Sequence, residues 1–166
     1  MNIKELFNHK IIPIKNTDTL FQLEEPIYLK TPFMRVVFPV EEKYNNLYLK
    51  LEFSNFRENK KMANFYKILC ALEPHYCNQL NSNKCNIKSQ LSQYKEYDPF
   101  ILLKIPKKKN YVNATIKNCK KRTFYDIKRN DFVKATIYAD ILWTNSKDIV
   151  LKWKVSELEF RDELEE

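Results

Sequence analysis

Between Lys104 and Lys134 the chain carries eleven Lys or Arg residues and two acids, Asp126 and Asp131. Eleven minus two is +9, more than the net +8 of the whole 166-residue chain. Aromatic rings are set among these cations: Tyr111, Phe124 and Tyr125, then Tyr138 and Trp143. Cations follow a phosphate backbone and rings stack on bases, so this mixture suits single-stranded nucleic acid. The candidate phosphate contacts are Lys104, Lys107, Lys108, Lys109, Lys120, Lys121, Arg122, Lys128, Arg129, Lys134 and Lys152, with Lys50 earlier in the chain. The candidate stacking platforms are Tyr48, Tyr111, Tyr125, Tyr138 and Trp143. Each neutralised phosphate releases counterions, so affinity should fall steeply with salt. Phe124 and Trp153 are expected in the core instead.

Other chemistry has less support. His9 and His75 are the only histidines, and neither sits in a nucleophile or metal motif. The only trio of acids that could hold a metal pair is Asp126, Asp131 and Asp140. Cys70, Cys77 and Cys85 with His75 could form a Cys/His cluster, but their spacing is not that of zinc modules. The plainer reading is reduced thiols, with Cys70 buried on a helix and the others in loops. The chain has no glycine. Phosphate-binding loops and dinucleotide fingerprints need glycine for close backbone approach, which excludes both. Left-handed turn positions then fall to Asn or Asp, as at Asn45-Asn46, Asn130 and Asn145. Lys, Asn, Ile, Tyr and Phe are abundant, and all have AT-rich codons, which points to an AT-biased genome such as that of some viruses, plasmids and parasites. No enzymatic activity, cofactor or metal is expected.

The elements that must hold these residues follow from periodicity. Residues 1–30 are weakly patterned and read as an N-terminal arm, with a short strand or extended segment over 7–14. Residues 33–40 read as a strand closed by Pro39. Leu47, Leu49, Leu51 and Phe53 alternate with Tyr48, Lys50, Glu52 and Ser54, the period of a half-buried strand. The turn residues Tyr44-Asn45-Asn46 make 33–40 and 47–54 a hairpin. Met62, Phe65, Tyr66, Leu69 and Leu72 then form one apolar stripe, predicting a helix over about 58–72 that closes near Pro74. Residues 74–98 read as a polar loop.

Strands resume over 100–105, 111–116, 132–142 and 149–160. Val133, Ala135, Ile137, Ala139 and Ile141 share one face, and Lys134, Thr136, Tyr138 and Asp140 the other. A long antiparallel hairpin with one apolar and one cationic face is expected, with Trp143 at its tip. From Glu157 to Glu166 there are six acids and one Arg161, a net −5, and residues 161–166 read as an acidic tail.

Four stretches carry a family resemblance: Asp98 to Pro106, Asp126 to Lys134, Asp140 to Thr144 and Leu151 to Val155. Together they resemble the C-terminal half of the OB-fold single-stranded-DNA-binding proteins of large cytoplasmic DNA viruses. Those proteins are similar to podophage single-strand binders, and the same kind is expected on AT-rich linear plasmids of yeast cytoplasm. In that pattern a basic turn ending in Gly-Asp precedes a strand; here Asn130-Asp131 stands in its place. The resemblance implies an OB-fold, sequence-independent binding, and roles in replication or recombination. It also implies an acidic tail that competes with DNA and recruits replication enzymes, although the tail here is short.

The expected protein is mainly β with one amphipathic helix (α+β), its residues 31–160 forming an OB-fold-like five-stranded antiparallel barrel. The expected partner is single-stranded DNA, or RNA, which offers the same phosphates and stacking faces. No apolar run approaches the roughly 20 residues of a membrane span, and residues 1–15 lack the unbroken apolar core of a signal peptide, so a cytoplasmic setting (host cytoplasm or virion) is expected. The oligomeric state is left open. The rival reading is a structural or scaffold protein, or a small accessory subunit of a replication or transcription complex, docking an acidic surface through its basic face.

Overall fold

The computed structural model describes residues 3–15, 17, 19–80, 86–117, 121–145 and 147–161. The chain opens with α1 (Ile3–Leu6), β1 (Ile11–Pro13) and β2 (Leu20–Lys30). Three strands follow, β3 (Met34–Val36), β4 (Glu41–Lys43) and β5 (Asn46–Glu52), then the long helix α2 (Lys60–Leu80). After it come β6 (Asn86–Ile87), β7 (Leu91–Ser92), β8 (Phe100–Ile105), β9 (Lys107–Lys108), β10 (Tyr111–Val112) and β11 (Thr115–Lys117). A turn of 3-10 helix, Phe124–Asp126, leads to β12 (Phe132–Thr144), β13 (Asp148–Leu151) and β14 (Lys154–Phe160).

Twelve of these strands share one mixed sheet, and β9 and β10 form a separate hairpin. This is broader than the five-stranded antiparallel barrel expected from periodicity, and three pairings are parallel: β11 with β14, β13 with β6, and β14 with β8. Period-two patterning reports which face a residue takes but not which strand lies beside it or in what direction. Within the sheet the pairings form a circuit. β3 pairs with β5, β5 with β8, β8 with β14, β14 with β12, and β12 with β3. The thinnest seam is β8 to β14, with the single register pair Lys104 and Lys154 and a 3.0 Å bond from the Lys104 amide to the Trp153 carbonyl.

The alternating apolar residues of these five strands point inward, except at the irregularity in β12 after Ala139, where Ile141 is half-buried and Leu142 takes the buried place. Leu47, Leu49, Leu51, Ile101, Leu103, Ile105, Val133, Ala135, Ile137, Val155 and Leu158 are buried together with Trp153. Burial of each large aliphatic side chain is worth about 1.5–3 kcal/mol against exposure. Thr31 is the polar residue placed deepest. Its hydroxyl accepts from the Ala135 amide at 2.9 Å and donates to the Pro32 carbonyl at 2.7 Å.

Two expected boundaries fail for one shared reason. The helix does not close at Pro74 but runs to Leu80 with the proline inside it. An interior proline removes one backbone bond and crowds the preceding turn. Here the residues just beyond it are anchored. The buried Tyr76 hydroxyl bonds the Leu6 carbonyl and accepts from the His9 amide at 3.2 Å, and His75 Nε2 donates to the Phe7 carbonyl at 2.8 Å. Those same bonds hold residues 6–9 against the helix, so the described part of the expected N-terminal arm packs on the rest of the domain. β2 pairs along β12 from Lys30 to Leu20. The helix start behaves as its sequence suggests, with Asn59 Oδ1 accepting from the Met62 amide at 3.2 Å as an N-cap.

Smaller expectations also shift. Residues 74–98 are not one polar loop but contain the helix end and the short strands β6 and β7. Of the strand expected over 33–40 only β3 (Met34–Val36) forms, and the neighbour of β5 across the Tyr44-Asn45 turn is β4 (Glu41–Lys43), so that β3 and β4 pair with opposite ends of β5. The strand over 111–116 divides into β10 and β11. The long C-terminal hairpin breaks at Lys152-Trp153, so that β13 and β14 pair with different stretches of β12. Positive φ falls on Asn45, Asn55 and Asn130, and also on Tyr44, Lys95 and Lys109. Cys70 is exposed on α2, whereas Cys77 is buried on it. Burial pushes the Cys77 thiol up to about 12, with the Glu73 charge adding to the effect. Cys85, Cys119, Lys120 and tail residues 162–166 lie outside the described residues.

Candidate nucleic-acid interface

With the inward positions filled by apolar side chains, the intervening residues face outward, and strand register decides which of them become neighbours. Tyr28 on β2 lies opposite Tyr138 on β12, and Tyr138 opposite Lys154 on β14. Lys154 lies opposite Lys104 on β8, and Lys104 opposite Tyr48 on β5. Residues up to 126 positions apart in sequence thereby form one row across five strands: two rings, two ammonium groups, one ring.

The side chains of this row touch. The Tyr28 and Tyr138 rings have centroids 5.6 Å apart and planes tilted by 31°. Lys154 Nζ lies 5.9 Å from the Tyr138 ring centre and 2.9 Å from Asp140 Oδ1. Lys152 Nζ lies 5.9 Å from the Trp143 ring centre. Beside the row, Lys50 Nζ sits 4.9 Å from the Phe38 ring centre and 5.7 Å from that of Phe100. Phe38 is 49% exposed, a large ring held open to solvent next to a cation.

The lysines of the row are electrostatically crowded. Burial and then the charges of Lys152 and Lys154 lower the Lys104 pKa, against an opposing pull from Asp140. Burial and then Lys154 lower that of Lys152. Burial, then Asp140 and Tyr28, raise that of Tyr138, which keeps its hydroxyl neutral. Three ammonium groups against one carboxylate leave a local +2 on a partly desolvated surface. Perturbed, like-charged groups of this kind mark candidate binding sites.

The basic loop is less available than its charge suggests. Lys107 is ion-paired with Glu42 at 2.8 Å, a bond that raises its pKa, and it lies 5.9 Å from the Tyr125 ring centre. Arg122 lies 3.8 Å from Asp131 and stacks on the Phe160 ring at 4.2 Å. Lys134 lines a cavity of about 90 Å³ with Lys30, Lys117, Glu157 and Glu159, and its exposed Nζ lies 5.3 Å from the Phe33 ring centre. Lys108, Lys109, Lys121, Lys128 and Arg129 are exposed.

Tyr111 and Tyr125, 58% and 55% exposed, line a second cavity of about 430 Å³ with Phe124 and Arg122. The 3-10 turn positions Phe124 and Tyr125, and β10 carries Tyr111. Thr123 Oγ1 accepts from the Tyr125 amide at 3.2 Å, and Asp126 returns the bond to the Thr123 amide at 2.7 Å. The bonds that its carboxylate accepts from the Thr123 amide and hydroxyl lower the Asp126 pKa. Asp131 closes the next turn by accepting from the Lys128 amide at 2.8 Å. Asp126 and Asp131 are therefore turn caps and Asp140 is a lysine partner, so the three acids do not converge. Among the described residues no group of three His, Cys, Asp or Glu side chains is placed to hold a metal.

Of the residues singled out from sequence, register brings Tyr48, Lys104, Tyr138, Lys152 and Trp143 to one surface with Lys50 beside them. Trp143 lies within the end of β12, half-buried, rather than at a free hairpin tip. Sequence reading missed Tyr28, Phe38 and Lys154. Tyr28 is the outward residue between buried Ile27 and Leu29, a signal hidden inside a segment read as an arm. Lys154 alternates with buried Trp153 and Val155 and was separable only by knowing its neighbours.

No protein-family model matches the sequence, and no curated protein matches it. Among solved structures the chain is similar to the crystal structure of gp2.5, a single-stranded DNA binding protein encoded by bacteriophage T7. The TM-score is 0.46 and the identity 9%, over 82% of this chain and 86% of that one. Among the described residues no helix is long and apolar enough to cross a membrane.

Proposed function

We propose that this protein binds single-stranded DNA without sequence preference, on the outward face of β5, β8, β12 and β14. The five-strand circuit is then an OB-type barrel, whose second and third strands, here β5 and β8, form the usual ligand face. The observation that carries the reading is the cross-strand row of Tyr28, Tyr138, Lys154, Lys104 and Tyr48.

Rings supply platforms that any base can stack on, each worth about 1–3 kcal/mol. Ammonium groups supply charge without reading base edges. Of the carboxylates beside the row, Asp140 is bonded to Lys154, and the exposed Glu41 lies in register with Tyr48 at its far end. A surface so built discriminates single strands from duplex, because only unpaired bases present their faces. The exposed lysines of the 107–129 loop extend the positive field beyond the row. On this reading the protein is a non-enzymatic coat or chaperone of single strands in replication or recombination, acting in a cytoplasmic setting.

The test is retention of labelled poly(dT) and poly(dA), with duplex DNA and single-stranded RNA as competitors. The reading expects both homopolymers to be bound with similar affinity and duplex to compete weakly. Failure to retain either homopolymer at low salt overturns it and favours a basic face that docks acidic protein.

A further inference from the structure

Within the row, one cluster is built differently from its surroundings. The other ion-paired cations each have an acid of their own: Lys107 has Glu42, Arg122 has Asp131, and Arg35 has Glu52 at 2.7 Å, with Asn130 at 2.6 Å as a further acceptor. Lys104, Lys152 and Lys154 share one carboxylate, Asp140, which bonds only Lys154. The backbone forces them together. The Lys104 amide bonds the Trp153 carbonyl, between Lys152 and Lys154, and Lys104 is in register with Lys154. Rings flank the cluster on two sides, with Lys152 beside Trp143 and Lys154 beside Tyr138.

We infer that Lys104, Lys152 and Lys154 form a preformed phosphodiester cradle in which Asp140 occupies the place of one oxyanion, with Tyr138 and Trp143 as platforms for the bases on either side of that phosphate. The inference rests on the reading of a single-strand-binding face and narrows it to a defined dinucleotide subsite. Mutual repulsion within the cluster, relieved only in part by Asp140, is a free energy that a bound phosphate recovers. Repulsion and burial act on the same lysines, as their lowered pKa values indicate. Tyr28 backs Tyr138 and fixes its ring. Asp140 keeps Lys154 in place in the free protein and yields when an oxyanion arrives.

A free polyphosphate offers the same charge without bases, so the test uses poly(dT) and inorganic tripolyphosphate as separate arms. The variants are Lys104→Gln with Lys152→Gln, which keep the side-chain stems over the strands. The control is Lys60→Gln with Lys61→Gln at the exposed start of α2. The expected result is a salt slope for poly(dT) that weakens by about 0.7, the share of one phosphate on a single strand, while the control keeps the wild-type slope. Asp140→Asn is expected to tighten binding severalfold. Poly(dT) should quench the Trp143 emission, with loss of that quenching in Trp143→Phe, and tripolyphosphate should compete without quenching. An unchanged slope in the cradle variant of a protein that binds poly(dT), or binding with no Trp143 response, overturns the cradle alone. Absence of poly(dT) binding by the wild-type protein overturns the underlying reading as well.

Discussion

Replacing Tyr28 by alanine isolates what the aromatic end of the row contributes. Tyr28 is 48% exposed, sits opposite Tyr138, and packs its ring at 5.6 Å against it. Loss of a cross-strand aromatic pair lowers stability by about 1 kcal/mol. For a domain of this size that is a melting-temperature drop of about 2–4 °C. The binding effect is separate. A base stacked on the Tyr28–Tyr138 platform gains about 1–3 kcal/mol, and removing one of two rings forfeits the lower part of that range, about 1–2 kcal/mol. At 1.4 kcal/mol per factor of ten, poly(dT) should bind roughly 5- to 30-fold more weakly. The assay is fluorescence anisotropy with labelled poly(dT), paired with a thermal melt of each variant. A protein that loses stability as stated yet binds with wild-type affinity would refute the stacking argument and leave the pair as packing alone.

Three further outcomes follow from particular atoms. Asn130 adopts φ 74° and accepts from Arg35 Nη1 at 2.6 Å, so Asn130→Ala should cost about 1–2 kcal/mol in urea unfolding, whereas Asn130→Gly relieves the backbone and loses only the bond. Thr31→Val leaves the buried Ala135 amide without its hydroxyl acceptor and should destabilise by about 1–3 kcal/mol by the same measurement; an unchanged midpoint would contradict the assigned bond. Lys104 and Lys152 titrate below the ordinary lysine value because of burial and their charged neighbours Lys152 and Lys154. Their charged forms are disfavoured in the fold and favoured by a bound phosphate. Poly(dT) affinity should therefore be full below those lowered values and fall as pH rises through them, while their destabilising effect on the fold is relieved over the same range. Affinity that holds until ordinary lysines titrate would contradict this.

Much of the architecture was legible because it is local. β8 runs over the expected residues 100–105, and the alternation from Leu47 to Phe53 gives the buried face of β5 and the residue after it. The α2 stripe at Met62, Phe65, Leu69 and Leu72 is buried as its spacing requires. What was illegible is non-local. Pro74 sits inside a helix because Tyr76 and His75 find partners almost 70 residues away, and no window around Pro74 contains them. The site divides the same way. Tyr48, Lys104, Tyr138 and Lys152 were visible as outward residues of patterned strands. Their meeting with Tyr28 and Lys154 depends on register, and on a parallel contact that alternation does not encode. Charge density was the weaker guide: Lys107 and Arg122 belong to the most basic stretch, yet carboxylates already pair with them.

The central claim is a stacking face studded with phosphate contacts, and titration with poly(dT) while following tryptophan fluorescence at two salt concentrations tests it most directly. Trp153 is 2% exposed in the core, so Trp143 is the responsive reporter. The account predicts strong quenching, a site size of several nucleotides and a steep loss of affinity at the higher salt. Unchanged fluorescence together with no retention of poly(dT) at the lower salt would contradict it.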